Sequence, residues 1–106
     1  MQGVQLRLFC LEKQRHDGLL LYEWLLSRAR EMGIRGGAAF REIAGYGRHD
    51  RMHSEFFFEL AGDLPVEVMF VTSESEASQL LAAIESQKIV LYYVKSPCEY
   101  GYTGQT

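Results

Sequence analysis

The sequence lacks any excess of positive charge. Its 106 residues carry 11 Lys and Arg against 14 Asp and Glu, for a formal net charge of -3. General electrostatic binding of nucleic acid is therefore not expected, and any basic site must be local. Cysteine is scarce: only Cys10 and Cys98 occur, far apart, which gives no disulfide framework and leaves a bridge between them unsupported. Cys10 sits in an apolar run and reads as a buried, inert thiol, whereas Cys98 follows Pro97 in a polar stretch and reads as more exposed. No apolar run nears the roughly 20 residues that a bilayer requires, so direct membrane insertion is not expected. Residues 1–5 lack a basic, then apolar, secretory pattern, and the expected location is the cytoplasm. Internal repeats, low-complexity segments and linkers are also missing. The expected organisation is one domain over residues 1–95 with a tail over 96–106.

What is present is an ordinary globular balance, 47% hydrophobic and 24% charged, arranged in six periodic segments. Residues 4–12 alternate, with Val4, Leu6, Leu8 and Cys10 on one face, and predict a strand. A polar stretch ends in the turn signal Asp17-Gly18. Helical spacing follows, with Leu21, Leu25, Arg28, Ala29 and Met32 as the stripe and Leu20 and Trp24 widening it. Asp17 is the expected cap of this helix and Gly33 its expected stop. Arg28 and Glu31 form a minor surface pair. A strand is expected from about Ala38 to Tyr46, with Ala38, Ala39 and Ala44 marking close packing. Phe56 to Leu60 reads as a short strand or as part of a loop. Pro65 opens a strand in which Val66, Val68 and Phe70 alternate with Glu67, Met69 and Val71. Ser73 or Ser75 is the expected cap of a second helix, with Glu76 three residues after Ser73 completing a capping box, and Ala77, Leu80, Leu81 and Ile84 are its expected buried face. A last strand is expected over Lys88 to Val94.

Strand, helix, strand, strand, helix, strand is the ferredoxin-like βαββαβ arrangement, an α+β fold with both helices on one face of an antiparallel sheet. Leu91, Tyr93, Phe9 and Val71 do not all fit under two helices. The second face is therefore expected to be buried between subunits.

The stretch "GGAAFREIAGYGRHDRMHSE" resembles the segment of PII signalling proteins in which a strand ends in Gly-Phe-Gly-Arg-Gln before a long loop. Gly45, Tyr46, Gly47 and Arg48 occupy that motif, with His49 in place of glutamine. "KIVLYYVKS" resembles the family's last strand. The longer pattern from "LYEWLL" to "RHDRMH" is similar to the small uncharacterised PII-like family, and the likeness spans roughly residues 4–94. It implies a homotrimer with adenine nucleotides (ADP, AMP or ATP) bound between subunits. The loop after the second strand would signal to a membrane transporter or another regulatory target. Two departures bear on the ligand. Only Glu85-Ser86-Gln87 stands where PII proteins have a glycine-rich basic loop, and Tyr100 and Tyr102 stand where their tails carry arginines. A diphosphate, a monophosphate or a smaller anion fits as well as a triphosphate.

The residue chemistry points the same way. Gly45 and Gly47 lack a Cβ, so backbone N–H groups there can approach a phosphate. Arg48 offers a planar fork of donors. His49 and Arg51 add further positive character, and Lys88 is the expected point charge contributed by a neighbouring subunit. The bland alternative is a strand end followed by a solvated loop. A metal-binding or structural trimeric module, related to divalent-cation tolerance proteins, is the other reading. It rests on His49 and His53, four residues apart, joined by His16 or Cys98. That spacing presents two ligands together on a helix but not in a loop, so no metal is expected. Cys98 has no histidine nearby in sequence, and Ser54 beside His53 is not an arrangement that activates a hydroxyl, so no enzyme activity is expected. The triplet Phe56, Phe57 and Phe58 reads as a hairpin with alternating burial or as a partner-binding tip.

Overall fold

Ten alternating residues make the first strand, β1 (Gln2–Leu11). Val4, Leu6, Leu8 and Cys10 turn inward from it as expected. The computed structural model describes residues 1–45 and 63–104. After β1 comes a small hairpin, β2 (Arg15–His16) with β3 (Leu19–Leu20), then α1 (Leu21–Glu31) and β4 (Gly37–Arg41). The chain continues with β5 (Pro65–Thr72), α2 (Glu74–Ser86) and β6 (Tyr92–Glu99). Setting the hairpin aside, this is the expected βαββαβ order. The four long strands lie in the order β4-β5-β1-β6, with every neighbouring pair antiparallel.

Both helices lie on one face. Their buried residues, Leu21, Leu25 and Ala29 from α1 and Ala77, Leu80 and Ile84 from α2, meet Leu6, Leu8, Val68 and Phe70 in a single core. Burying side chains of this size contributes about 1.5–3 kcal/mol each. Gly37 explains how closely β4 fits beneath α1: a Cβ there would sit 2.4 Å from the Phe70 ring and 3.2 Å from Leu26. The close packing inferred from the alanines thus falls on this glycine. Gly3 plays a similar part at the far end of the sheet, where a Cβ would meet the Thr72 carbonyl at 2.3 Å and the Tyr100 ring at 2.6 Å.

Four expectations need correction. Asp17 does not cap α1. It has φ 51 and joins Gly18, φ 79, in the tight turn of the β2–β3 hairpin, while Leu20 occupies the cap position with no side-chain bond. Arg28 is exposed rather than part of the buried stripe, and its guanidinium reaches Glu31 at 3.5 Å. β4 stops at Arg41 because β5 begins at Pro65. The last rung is the Glu42 N–H donating to the Pro65 carbonyl at 2.9 Å. Tyr46 and the Phe56–Leu60 run lie outside the described residues.

The final strand is the fourth correction. It spans Tyr92–Glu99 rather than 88–94, because residues 87–89 finish α2 and β1 offers partners all the way back to Gln2. Pro97 is accommodated because β6 is an edge strand. Register divides the four apolar residues that do not all fit under two helices: Tyr93 pairs with Leu8 and Leu91 packs against the core on the helix side, whereas Phe9 and Val71 belong to the other face. Other expectations hold. Gly33 follows α1 with φ 90, and Ser73 accepts the Glu76 N–H at 3.1 Å at the head of α2. Hydrogen bonds from the Thr72 and Ser73 hydroxyls and the Ser73 backbone hold the Glu76 carboxyl below its usual range, that from Thr72 having the largest effect. No helix among the described residues is long and apolar enough to cross a membrane.

Candidate functional site

Of the six residues expected to hold an anion, Gly45 and Lys88 are described; Gly47, Arg48, His49 and Arg51 lie outside the described residues. Gly45 follows β4. Lys88 does not head a strand. It is the left-handed residue, φ 59, that closes α2. Its N–H donates to the Glu85 carbonyl at 2.9 Å, and the Ile89 N–H reaches back to the Ile84 carbonyl at 3.4 Å. These two bonds make a Schellman turn, in which glycine is the usual third party. A lysine in this conformation costs on the order of 1 kcal/mol, and it leaves an exposed ammonium beside a helix C-terminus.

Register fixes how the two halves relate. Arg41 pairs with Val66, Val66 with Cys10, and Tyr92 with Phe9, so Gly45 and Lys88 both lie at the end of the sheet where β1 finishes. Gly45 follows the edge strand β4, and Lys88 lies in the turn that leads from α2 toward β6, the strand at the opposite edge.

Between them runs the connection out of β1, which grips both feet of the 46–62 segment. Arg41 donates through Nε to Glu12 Oε2 at 3.1 Å, and this bond holds the Glu12 carboxyl below its ordinary range. The Glu12 N–H donates to the Leu64 carbonyl at 2.8 Å, and the Lys13 N–H to Asp63 Oδ1 at 2.9 Å. Glu42 sits beside the glycine turn: a Cβ on Gly45 would lie 3.2 Å from its Oε1. Partial burial, then the Glu67 charge, raises the Glu42 pKa, against the pull of Arg7. The contacts of Glu12 and Lys13 with Arg41, Leu64 and Asp63 are invisible in local pattern, because strand register creates them.

Next to Lys88, an apolar hollow of about 210 Å³ opens between α2 and β6, lined by Leu81, Ile84, Ile89, Val90, Leu91 and Tyr93 among others. Cys10 is buried, and its thiol is pushed up to about 11 by that burial. Cys98 pairs with Gly3, whereas Cys10 is seven residues further along β1, about 23 Å away, so the two cannot bridge within a chain. The same separation keeps Cys98 from His16, which follows the far end of β1. Of the histidines in the metal reading, His49 and His53 lie outside the described residues. Among the described residues, no group of three His, Cys, Asp or Glu is placed to hold a metal ion.

The sheet face away from the helices is polar and aromatic together. Arg7 donates to Glu67 through Nε at 3.1 Å and Nη2 at 3.0 Å, and its guanidinium lies 5.4 Å from the Phe9 ring centre. Phe9 in turn packs on Tyr92 at 5.6 Å. Gln5 donates to the Met69 sulfur at 3.0 Å. No described element covers this face.

Residues 3–90 match the DUF190 family, described as Uncharacterized ACR, COG1993. The chain belongs to the DUF190 family. A UPF0166 protein of Aquifex aeolicus (strain VF5) is 35% identical over 82 residues, 77% of this chain and 78% of that one. Among solved structures, the DUF190 chain is similar to CPII of Thiomonas intermedia K12, a nitrogen regulatory PII-like protein. Against CPII bound to ADP and bicarbonate the TM-score is 0.58 at 17% identity, covering 96% of this chain and 93% of that one. Against CPII bound to ADP, AMP and acetate it is 0.55 at 15% identity, with the same coverage. At these identities the likeness establishes a PII-like fold for this DUF190 protein, and with it the ferredoxin-like architecture read from the sequence.

Proposed function

We propose that this DUF190 protein is a PII-like regulator that binds an adenine nucleotide, or a comparable small anion, between copies of itself. The observation that supports the reading is that Gly45, after β4, and Lys88, in the turn between α2 and β6, lie at the same end of the sheet. In this reading the ligand sits between two chains, with Gly45 from one and Lys88 from the next. Gly45, Gly47 and Arg48 of one copy would offer backbone N–H groups and a guanidinium. Lys88 of the next would supply a point charge, and His49 and Arg51 would add to the field. Three such clefts form in a homotrimer whose open sheet faces turn toward one another. Nucleotides bound to CPII support this choice of ligand. The 46–62 segment, rooted between Arg41 and Asp63, would carry the liganded state to a partner protein, such as a transporter or another regulator. The assembly would act in the cytoplasm and catalyse no reaction.

Isothermal titration with ADP, AMP, ATP and bicarbonate, singly and in pairs, tests the reading. ADP is expected to bind, and Arg48→Ala is expected to weaken it about ten- to a hundredfold, the worth of a charge-assisted bond pair, with the assembly intact. Unchanged ADP affinity in that variant would remove the guanidinium from the site.

A further inference from the structure

The hairpin between β1 and α1 is an addition to the six-element plan, and one of its residues reaches the far helix. His16, on β2, points its Nε2 at Gln87 Oε1, 3.1 Å away, and stands edge-on to the Trp24 ring of α1 at 5.0 Å. Its side chain is only 18% exposed, and Asp17 Oδ2 lies 3.4 Å from the same nitrogen. Gln87 is the C-cap of α2, immediately before Lys88. A half-buried imidazole thus holds the residue that precedes a strained lysine.

We propose that His16 is a positioning residue for Lys88. By donating from Nε2 to Gln87, it ties the closing turn of α2 to the hairpin and to Trp24, and so fixes the direction in which the Lys88 ammonium leaves the sheet end. Two features argue for positioning over simple packing. Lys88 occupies a left-handed conformation where glycine would cost nothing, so the chain keeps a cation there against its backbone preference. The turn's second bond, Ile89 to Ile84, is long at 3.4 Å, so the backbone bonds of the turn do not by themselves hold it firmly. The same connection that grips Arg41 and Asp63 through residues 12–13 therefore reaches the other half of the candidate site through residue 16. The role in ligand binding rests on the nucleotide reading above; the role in holding the turn does not.

The test is amide hydrogen exchange at Lys88 and Ile89 in the ligand-free protein, alongside ADP titration. His16→Phe keeps an aromatic ring against Trp24 and removes the donor. Protection at those two amides is expected to fall roughly three- to tenfold, the worth of one hydrogen bond, while Leu80 within α2 is unaffected. His16→Gln is expected to restore protection, and Gln87→Leu to reproduce the loss from the other side. Unchanged protection in both His16→Phe and Gln87→Leu overturns the proposal, and Gln87→Leu decides it alone if His16→Phe does not fold. In the binding arm, Lys88→Met is the reference. If Lys88→Met weakens ADP binding and His16→Phe does not, positioning is refuted. If Lys88→Met has no effect, the nucleotide role of Lys88 falls, while the exchange result still decides whether His16 holds the turn.

Discussion

On the helix side of β1, Val4, Leu6 and Leu8 are at most 5% exposed and belong to the apolar core. On the other side of the same strand, Gln5, Arg7 and Phe9 are half-buried and make a sulfur contact, an ion pair and an aromatic contact. One strand therefore presents a finished surface and an unfinished one. The helix side accounts for why a single chain folds. The open side has the composition of an interface centre, with aromatic, Met and Arg side chains around one Arg–Glu pair, which is what assembly would need. One alternating sequence thus holds two kinds of information: positions that specify the fold and positions that, in the proposed assembly, meet another copy.

The sharpest way to break this division is to truncate matching aromatics on the two faces. Phe70→Ala empties the fully buried side and is expected to cost about 3–5 kcal/mol in urea unfolding. Phe9→Ala, measured under dissociating conditions, is expected to cost much less. Similar losses would mean that the open face is part of the fold of the single chain. A smaller effect on the folding of one chain is expected from Arg7→Met. The pair is partly exposed, with side chains 39% and 19% accessible, so its loss costs about 0–1 kcal/mol in the isolated chain. Its visible consequence is expected in assembly, read as a fall in molar mass, because Glu67 would be left without its partner once the face is covered.

The smallest effect concerns pH. The Glu42 pKa is raised by partial burial and by Glu67. A raised carboxyl favours the folded state below its unfolded pKa, and that contribution is lost as pH rises through the folded value. Glu12 and Glu76 have the opposite sign: their lowered values stabilise the fold above the ordinary carboxylate range, near 4.3, and that contribution is lost on acidification. Glu42→Gln, which mimics the protonated group, is therefore expected to gain stability relative to the parent as pH rises from 4 to 7. A constant difference across that range would show that Glu42 is not perturbed.

Much of this fold is legible from periodicity. β1, β5 and the two helices follow the alternation of Val4 to Cys10 and Val66 to Phe70 and the stripes through Leu21, Leu25, Leu80 and Ile84, because those residues answer to one buried face. Legibility fails where a neighbour decides. β6 starts four residues later than expected because its extent is set by the length of β1, whereas "KIVLYYV" is apolar enough to predict a strand from Lys88. The hairpin at Arg15–Leu20 is too short to show a period, so Asp17 read as a helix cap. The candidate site was legible only as residue types, through Gly45, Arg48 and Lys88. Its supports, Glu12 with Arg41, Asp63 with Lys13 and His16 with Gln87, join residues 29 to 71 positions apart and leave no local trace.

The central claim is that copies of this chain cover the open sheet face and so bring Gly45 of one beside Lys88 of another. Light scattering on the purified protein across a dilution series tests it most directly. The account predicts a mass about three times the 12.1 kDa of one chain, reduced by Arg7→Met. A particle of 12.1 kDa at all concentrations, with the native circular dichroism spectrum, would contradict it.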